Sequence, residues 1–102
     1  MNDETKNPLS GLDPLIHAPA RLNIITQLYV VESADYIFLK NLTGLTWGNL
    51  SAHAAKLAEA GYVAIEKSIV NKKTHTVAKL TGKGRAAFEA YRQQMIEVLE
   101  KK

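Results

Sequence analysis

The chain has 102 residues, of which 46% are hydrophobic and 23% are charged, and it contains no cysteine. This length and composition predict one globular domain and exclude wholly disordered and collagen-like chains, while the lack of cysteine excludes disulfides and thiolate metal sites. No apolar run approaches the roughly 18 residues of a membrane span, and the polar start is not a signal peptide, so we expect a cytoplasmic protein with no membrane partner.

The net charge of +3 is unevenly distributed along the chain. Residues 1–45 carry three bases and five acids, whereas residues 46–80 carry five lysines and two glutamates. Residues 81–102 carry five bases and three acids. Positive charge is therefore concentrated in the second half, which suits a surface that binds a polyanion, although an ordinary solvated surface shows the same pattern.

The start of the chain predicts an arm followed by the folded domain. Residues 1–12 are expected to form a flexible N-terminal arm, with the domain spanning residues 13–102. Asp13 and Pro14 have the residue types of a helix start, but Pro19 interrupts the pattern. The residues between the two prolines therefore form either a separate short turn or a kinked entry into the first long helix.

Three helices are predicted in the first part of the domain. The first runs from Ala20 to Val31, because its apolar residues recur at helical spacing. After a polar break, Asp35 caps a short helix over residues 36–42, which Gly44 ends. The third helix spans about residues 46–60 and begins with a threonine as its N-cap.

A β-hairpin and a long helix complete the predicted fold. Residues 62–70 are alternating and β-branched, and residues 74–80 return as a second strand after the polar turn 71–73. The apolar face of the first strand consists of Val63, Ile65 and Ile69. Thr81 caps the last helix, which continues to the C-terminus. This order predicts an α+β, mostly α fold, namely a winged helix-turn-helix with a two-stranded wing and a long C-terminal helix.

The third helix has the side chains needed to read a DNA major groove. Its buried stripe is expected to contain Leu50, Ala54 and Leu57. A step of about 100° per residue then turns outward a small or polar face, made of Gly48, Asn49, Ala52, Ala55 and Lys56. Asn49 can bond adenine through two hydrogen bonds, Ala52 can contact a thymine methyl group, and Gly48 permits close approach. A solvated helix shows a similar face.

Further DNA contacts are predicted beside this helix face and in the hairpin. The flank residues suited to phosphate oxygens are Thr46, Ser51 and His53. Trp47 either stacks on DNA or packs against the neighbouring helix. Lys72 and Lys73, at the hairpin tip, are placed to neutralise phosphates beside the groove.

Three motifs support this interpretation by their sequence and spacing. Residues 45–63 read LTWGNLSAHAAKLAEAGYV, residues 17–22 read HAPARL, and residues 80–85 read LTGKGR. Together, over about residues 15–91, they resemble small winged helix-turn-helix transcriptional regulators of the arsenic-repressor-like and multiple-antibiotic-resistance-repressor-like superfamily. The resemblance implies a dimeric DNA-binding repressor whose third helix enters the major groove.

The chain departs from this superfamily in three respects. Ala52 stands where the family often has a basic or long polar residue, which removes one expected base contact. Metal-sensing members use cysteines, which this chain lacks. Longer members surround a ligand pocket with additional helices, so the resemblance leaves a small-molecule effector unknown, and we expect no cofactor.

The last helix carries an apolar stripe that its own domain is not expected to cover. The stripe consists of Phe88, Tyr91, Met95, Val98 and Leu99. Phe88 is expected in the core and the others in a two-fold homodimer interface, to which Leu15 or Ile16 contributes. Such a dimer places two recognition helices about 34 Å apart. The alternative is a helix that folds back on its own domain.

Other functional patterns are weaker. Residues 82–87 match the G-x-G-x-x-A pattern of a dinucleotide loop, but no second parallel strand follows. The histidines His17, His53 and His75 lack metal-ligand spacing, so no metal site is expected. Ser51 and His53 point apart on their helix and cannot act as nucleophile and base.

The leading interpretation is therefore a DNA-binding transcriptional regulator that is not an enzyme. The alternative is a winged-helix module that binds another protein instead of DNA. That alternative predicts an apolar or acidic outer face on the third helix.

Overall fold

The computed structural model describes residues 9–100, which form four helices and a three-stranded antiparallel sheet. The helices are α1 (Pro19–Val31), α2 (Tyr36–Thr43), α3 (Trp47–Glu59) and α4 (Gly82–Glu100). The strands are β1 (Ser33–Asp35), β2 (Val63–Val70) and β3 (Lys73–Leu80), with β3 between the other two. This is the mostly helical winged helix arrangement that the order of elements predicts.

Leu12 belongs to the hydrophobic core instead of the flexible arm that is predicted over residues 1–12. Residues 1–8 lie outside the described part of the chain. Leu12 N donates a hydrogen bond to Leu9 O at 3.1 Å, and the Leu12 side chain is 5% exposed in the hydrophobic core. Leu12 therefore packs with the domain that was predicted to begin at residue 13.

The chain enters α1 through a separate turn, which is the first of the two predicted alternatives. Asp13 Oδ1 accepts a hydrogen bond from Leu15 N at 2.9 Å, and His17 N donates to Asp13 O at 2.8 Å. Pro19 begins α1, with Ala18 as the N-cap. A proline suits the first helical position because its φ is already helical and its missing N–H would have no partner there. The prediction that Pro19 precedes the helix is wrong by one residue.

Two tyrosines hold this turn against the rest of the domain. The Tyr62 hydroxyl donates to Asp13 Oδ2, and this hydrogen bond, together with burial and the carboxylate charge, raises the pKa of Tyr62 to about 12. The Tyr91 hydroxyl lies 2.7 Å from His17 Nδ1. Ile16, next to His17, is completely buried. The turn therefore connects the start of β2 to the middle of α4.

The strand β1 is the element that the sequence does not predict. The sequence predicts only a polar break between α1 and α2 at these residues. In the structure, Ala34 pairs with Ala78 of β3 in an antiparallel register. Asp35 then caps α2 as predicted, with its Oδ1 accepting a hydrogen bond from Phe38 N at 2.8 Å. Gly44 follows α2 with a φ of 75°, a left-handed conformation that favours glycine at a helix end.

The hairpin of β2 and β3 has a shorter turn than predicted. Val70 pairs with Lys73, which leaves Asn71 and Lys72 as a two-residue turn. Both turn residues have positive φ, 53° and 66°, as a type I′ hairpin requires. Lys73 is therefore the first residue of β3 instead of the last residue of the turn.

The hairpin leaves the core part-way along β2. Val63, Ile65 and Ile69 alternate onto one face as predicted, but Val63 is 3% exposed and Ile69 is 78% exposed. Ile65 packs partly against the core. Residues 66–74 are all exposed, and we call this projecting part of the hairpin the wing.

The start of α4 is packed directly against the connection between α3 and β2. Thr81 Oγ1 accepts a hydrogen bond from Gly84 N at 2.9 Å, as expected for the predicted cap, and donates to Gly61 O at 2.6 Å. A Cβ atom on Gly84 would lie 2.0 Å from the Tyr62 carbonyl oxygen. Glycine is required at this position because no other residue permits such a close approach of two backbones.

We expect the Gly84→Ala substitution to destabilise the domain, since its methyl group would overlap the Tyr62 carbonyl and displace α4. Overpacking of this kind costs about 1–3 kcal/mol or more in the free energy of unfolding. Urea unfolding followed by circular dichroism measures this loss. Gly82→Ala is the matched control, because a Cβ atom there has nothing within 4 Å. Equal unfolding midpoints for the two variants would contradict the close packing at Gly84.

Candidate nucleic-acid interface

The helix α3 presents to solvent the face predicted for DNA contact. Its predicted stripe of Leu50, Ala54 and Leu57 is completely buried where α3 packs on α1 and β2. The residues predicted to face outward are all exposed, and they are Gly48, Asn49, Ala52, Ala55 and Lys56. The helical spacing therefore places the inner and outer faces of α3 correctly.

The first turn of α3 is fixed by its cap. Thr46 Oγ1 accepts a hydrogen bond from Asn49 N at 3.1 Å. Thr46, Asn49 and Ser51 are all exposed, so the cap orders the backbone while the side chain of Asn49 stays accessible. An exposed amide one turn into a helix can reach the edge of a base in the major groove.

Trp47 is covered on one side only. Lys40 Nζ of α2 lies 5.3 Å from the centroid of the Trp47 ring, a cation–π distance. The Trp47 side chain is nevertheless 50% exposed. It thus packs against the neighbouring helix, as one predicted alternative states, and still leaves part of its ring at the start of α3.

His53 is held by a residue outside α3. Arg21 Nη1 of α1 lies 3.2 Å from His53 Nδ1, and Arg21 Nε donates a hydrogen bond to Leu15 O at 2.6 Å. Sequence reasoning missed this role of Arg21, which stands in the HAPARL motif but meets His53 only through the packing of α1 on α3. The spacing of 32 residues between them gives no local sign of the contact.

The wing carries three exposed lysines. Lys72 and Lys73 lie at its tip, as predicted, and Lys67 lies on β2 opposite Thr76. Lys67 belongs to the basic region of residues 46–80 but is not among the predicted contact residues. Near the base of the hairpin, Lys79 Nζ lies 3.8 Å from Glu66 Oε2, so this lysine is partly neutralised. Free positive charge is therefore concentrated toward the tip.

Comparison with known proteins identifies the family. The family model described as a winged helix DNA-binding domain matches residues 20–99. The chain belongs to this winged helix family. It is 34% identical over 84 residues to the uncharacterized protein MJ0432 of Methanocaldococcus jannaschii, covering 82% of this chain and 91% of that protein.

Two solved structures have the same winged helix fold. A transcriptional regulator homologue protein from Pyrococcus horikoshii OT3 superposes with a TM-score of 0.83 at 24% identity, covering 97% of this chain and 96% of that one. NadR in complex with 4-hydroxyphenylacetate superposes with a TM-score of 0.69 at 20% identity, covering 94% and 70%. The predicted winged helix fold is therefore confirmed.

Two residues predicted for a dimer interface belong to the core of this winged helix domain instead. Ile16 is completely buried and Tyr91 is 4% exposed within the chain itself. The turn before α1, which contains Ile16, packs on α4 through the contact of His17 with Tyr91, and the helical spacing of α4 alone does not reveal this packing. The prediction is corrected for these two residues, because neither offers surface to a partner.

The other predicted interface residues become more exposed toward the end of α4. Leu15 and Met95 pack partly against the core. Val98 is half-buried, and Leu99 is 67% exposed. Apolar surface on the winged helix domain therefore remains at the last turns of α4.

The three histidines of the winged helix domain do not converge on one site. His17 contacts Tyr91, whereas His75 lies on β3, so the three histidines stay in separate places. Across residues 9–100, no group of three His, Cys, Asp or Glu side chains is arranged to hold a metal ion. Within the same residues, no helix has the length and apolar character needed to cross a membrane.

Proposed function

We propose that this winged helix protein is a cytoplasmic transcriptional regulator that represses its genes by binding double-stranded DNA as a homodimer. The observation that carries the proposal is the exposed, small and polar face of α3, on a helix that packs against β2, the first strand of the lysine-bearing hairpin. Membership of a winged helix DNA-binding family supports the choice of DNA as the partner. The Pyrococcus horikoshii protein with the same fold is a transcriptional regulator homologue, which supports the regulatory role.

In this proposal α3 lies in the major groove and reads the sequence. Asn49 bonds an adenine through its side-chain amide, and Ala52 contacts a thymine methyl group. Gly48 and the half-exposed Trp47 lie at the helix start, where glycine lets the backbone approach the DNA closely. Lys56, further along the exposed face, adds positive charge beside the groove.

The contacts around α3 hold the protein on the DNA without reading bases. Thr46, Ser51 and His53 donate to phosphate oxygens along the edges of the groove. Lys72 and Lys73 of the wing neutralise phosphates beside it. Such contacts add affinity on every sequence and fix the register in which Asn49 meets its base.

Dimerisation through the last turns of α4 supplies a second recognition helix. A two-fold dimer presents two α3 helices about 34 Å apart, which matches one turn of the duplex. Exposed Leu99 is the kind of residue that such an interface buries. Repression requires only that the dimer occupies its site, whereas activation requires an additional surface for the transcription machinery.

The alternative function, a module that binds another protein through α3, has less support. An interface core between proteins is apolar and rich in aromatic residues. The outer face of α3 instead carries glycine, asparagine, alanine and lysine. Failure to select any duplex from a random-sequence pool would favour this alternative.

The experiment that tests the proposal separates sequence reading from charge neutralisation. A gel-shift selection from random duplexes first yields an operator, and a scrambled duplex serves as the nonspecific comparison. Asn49→Ala should reduce the preference at one position of each half-site by about 1–3 kcal/mol, since it removes the base contact. Its affinity for the scrambled duplex should stay nearly unchanged.

The double substitution Lys72→Ala with Lys73→Ala is the reciprocal control. It should weaken binding to both duplexes together and lower the salt-dependence slope by about two per subunit. The roles of helix and wing would be reversed if the lysine pair changed the sequence preference while Asn49→Ala weakened both duplexes equally.

A further inference from the structure

We propose that Arg21 is a positioning residue for DNA binding, which holds His53 in the neutral tautomer with its proton on Nε2 and so makes that nitrogen a donor to a DNA phosphate. This inference rests on the proposed DNA-binding function. It assigns a role in the interface to a side chain of α1, which lies outside both the recognition helix and the wing.

The guanidinium of Arg21 is fixed at two points. Its Nε donates to Leu15 O at 2.6 Å, in the turn before α1, and its Nη1 lies 3.2 Å from His53 Nδ1. Both contacts are partly buried. A planar group held by two hydrogen bonds loses its freedom to rotate, so the orientation of Arg21 determines the orientation of the imidazole.

The chemistry of the contact determines the tautomer. An arginine side chain has only N–H donors and stays charged, so His53 Nδ1 must be the acceptor. A ring nitrogen accepts a hydrogen bond only when it carries no hydrogen, and in a neutral imidazole the other nitrogen then carries it. The contact between Arg21 and His53 therefore requires the Nε2–H form.

The position of His53 on α3 allows its Nε2–H group to reach a DNA phosphate in the proposed complex. His53 lies beside exposed Ala52 and one turn from exposed Asn49 and Lys56. Because Nδ1 faces Arg21, Nε2 lies on the other side of the ring. A donor on the flank of a recognition helix meets the phosphate oxygens that border the major groove. Arg21 thus orders one backbone contact before DNA arrives.

Nitrogen-15 NMR of the protein without DNA tests the tautomer. In the natural protein, the His53 ring should show an unprotonated Nδ1 and a protonated Nε2. In Arg21→Gln, the two ring nitrogens should move toward averaged shifts, while His75 on β3 serves as the unaffected internal reference. A protonated Nδ1 or averaged shifts in the natural protein would overturn the inference, and this spectrum does not depend on the folding of any variant.

Binding to the selected operator tests the positioning role. Arg21→Gln should weaken binding by about 3- to 10-fold beyond the effect of Arg92→Gln, as expected for the loss of one hydrogen bond of ordinary net strength. Arg92 is an exposed residue of α4 outside the proposed interface, so its substitution measures the loss of charge alone.

Arg21→Gln and Arg92→Gln are then each introduced separately into the His53→Gln variant. The side-chain amide of this glutamine supplies a hydrogen-bond donor near the position of His53 Nε2. In this background Arg21→Gln should weaken binding no more than Arg92→Gln does. An undiminished additional loss would mean that Arg21 contacts DNA itself, which overturns its positioning role. If the natural protein binds no duplex, the proposed function and the phosphate contact both fail, whereas the tautomer is still decided by NMR.

Discussion

Between 50 and 200 mM salt, the affinity of the dimer for its operator is expected to fall by about 10³–10⁵-fold. Lys56, Lys72 and Lys73 are exposed, so two subunits bring six lysines toward the phosphates in the proposed complex. Each neutralised phosphate releases bound counterions, and added salt opposes this release. Fluorescence anisotropy of a labelled operator at a series of salt concentrations measures the slope.

Lys79→Ala is the matched control for this salt dependence. Lys79 lies on β3 like Lys73, but it pairs with Glu66 near the base of the hairpin. We therefore expect its substitution to leave the slope unchanged. Operator binding that is insensitive to salt would exclude the predicted phosphate contacts of α3 and the wing.

Substituting Leu99→Glu is expected to convert the proposed dimer to monomers and to abolish tight operator binding. The substitution would bury one negative charge from each subunit in the dimer interface. Because the desolvation of each buried charge costs several kcal/mol, the dissociation constant of the dimer should rise by about 100-fold or more. Leu99 is 67% exposed within its own chain, so folding should be unaffected. Met95→Glu is a less specific test of dimerisation, because Met95 packs partly against the core and its substitution would also affect folding. Analytical ultracentrifugation measures the assembly state.

Val30→Glu is the control for the dimer experiment. Val30 is a 73% exposed apolar residue at the end of α1, so the substitution introduces the same charge away from α4. The Val30 variant should remain dimeric. Dissociation by Val30→Glu, with Leu99→Glu still dimeric, would place the interface on α1 instead of α4.

The features predicted correctly from sequence are those with a local physical cause. Asp35, Thr46 and Thr81 are cap residues by type, and each accepts a hydrogen bond from the backbone N–H of a residue three positions later. The buried stripe and exposed face of α3 follow from helical periodicity alone. Capping residues and helical periodicity were therefore sufficient to locate the face of α3 that, in our proposal, contacts the DNA bases.

The features that the sequence could not predict depend on contacts between distant segments. The strand β1 has three residues and is defined by its pairing with β3, 44 positions away where Ala34 meets Ala78. Tyr91 has the same apolar spacing as Leu99, yet the turn containing Ile16 covers one and not the other. Helical periodicity shows which apolar residues lie on a face that must be buried. It does not show which other segment of the chain packs against that face.

The close approach of Gly84 to Tyr62 packs the start of α4 directly on the connection between α3 and β2. Because no side chain separates the two backbones there, this contact sets where α4 starts relative to α3 and β2. From Gly84 to Leu99 the helix is about 22 Å long, so tilting it by about 10° at the proposed dimer interface displaces the far end by about 4 Å. That displacement exceeds the rise of about 3.4 Å per base pair. In the proposed dimer, a change of this size in the angle between the two α4 helices would therefore shift the spacing of the half-sites by about one base pair.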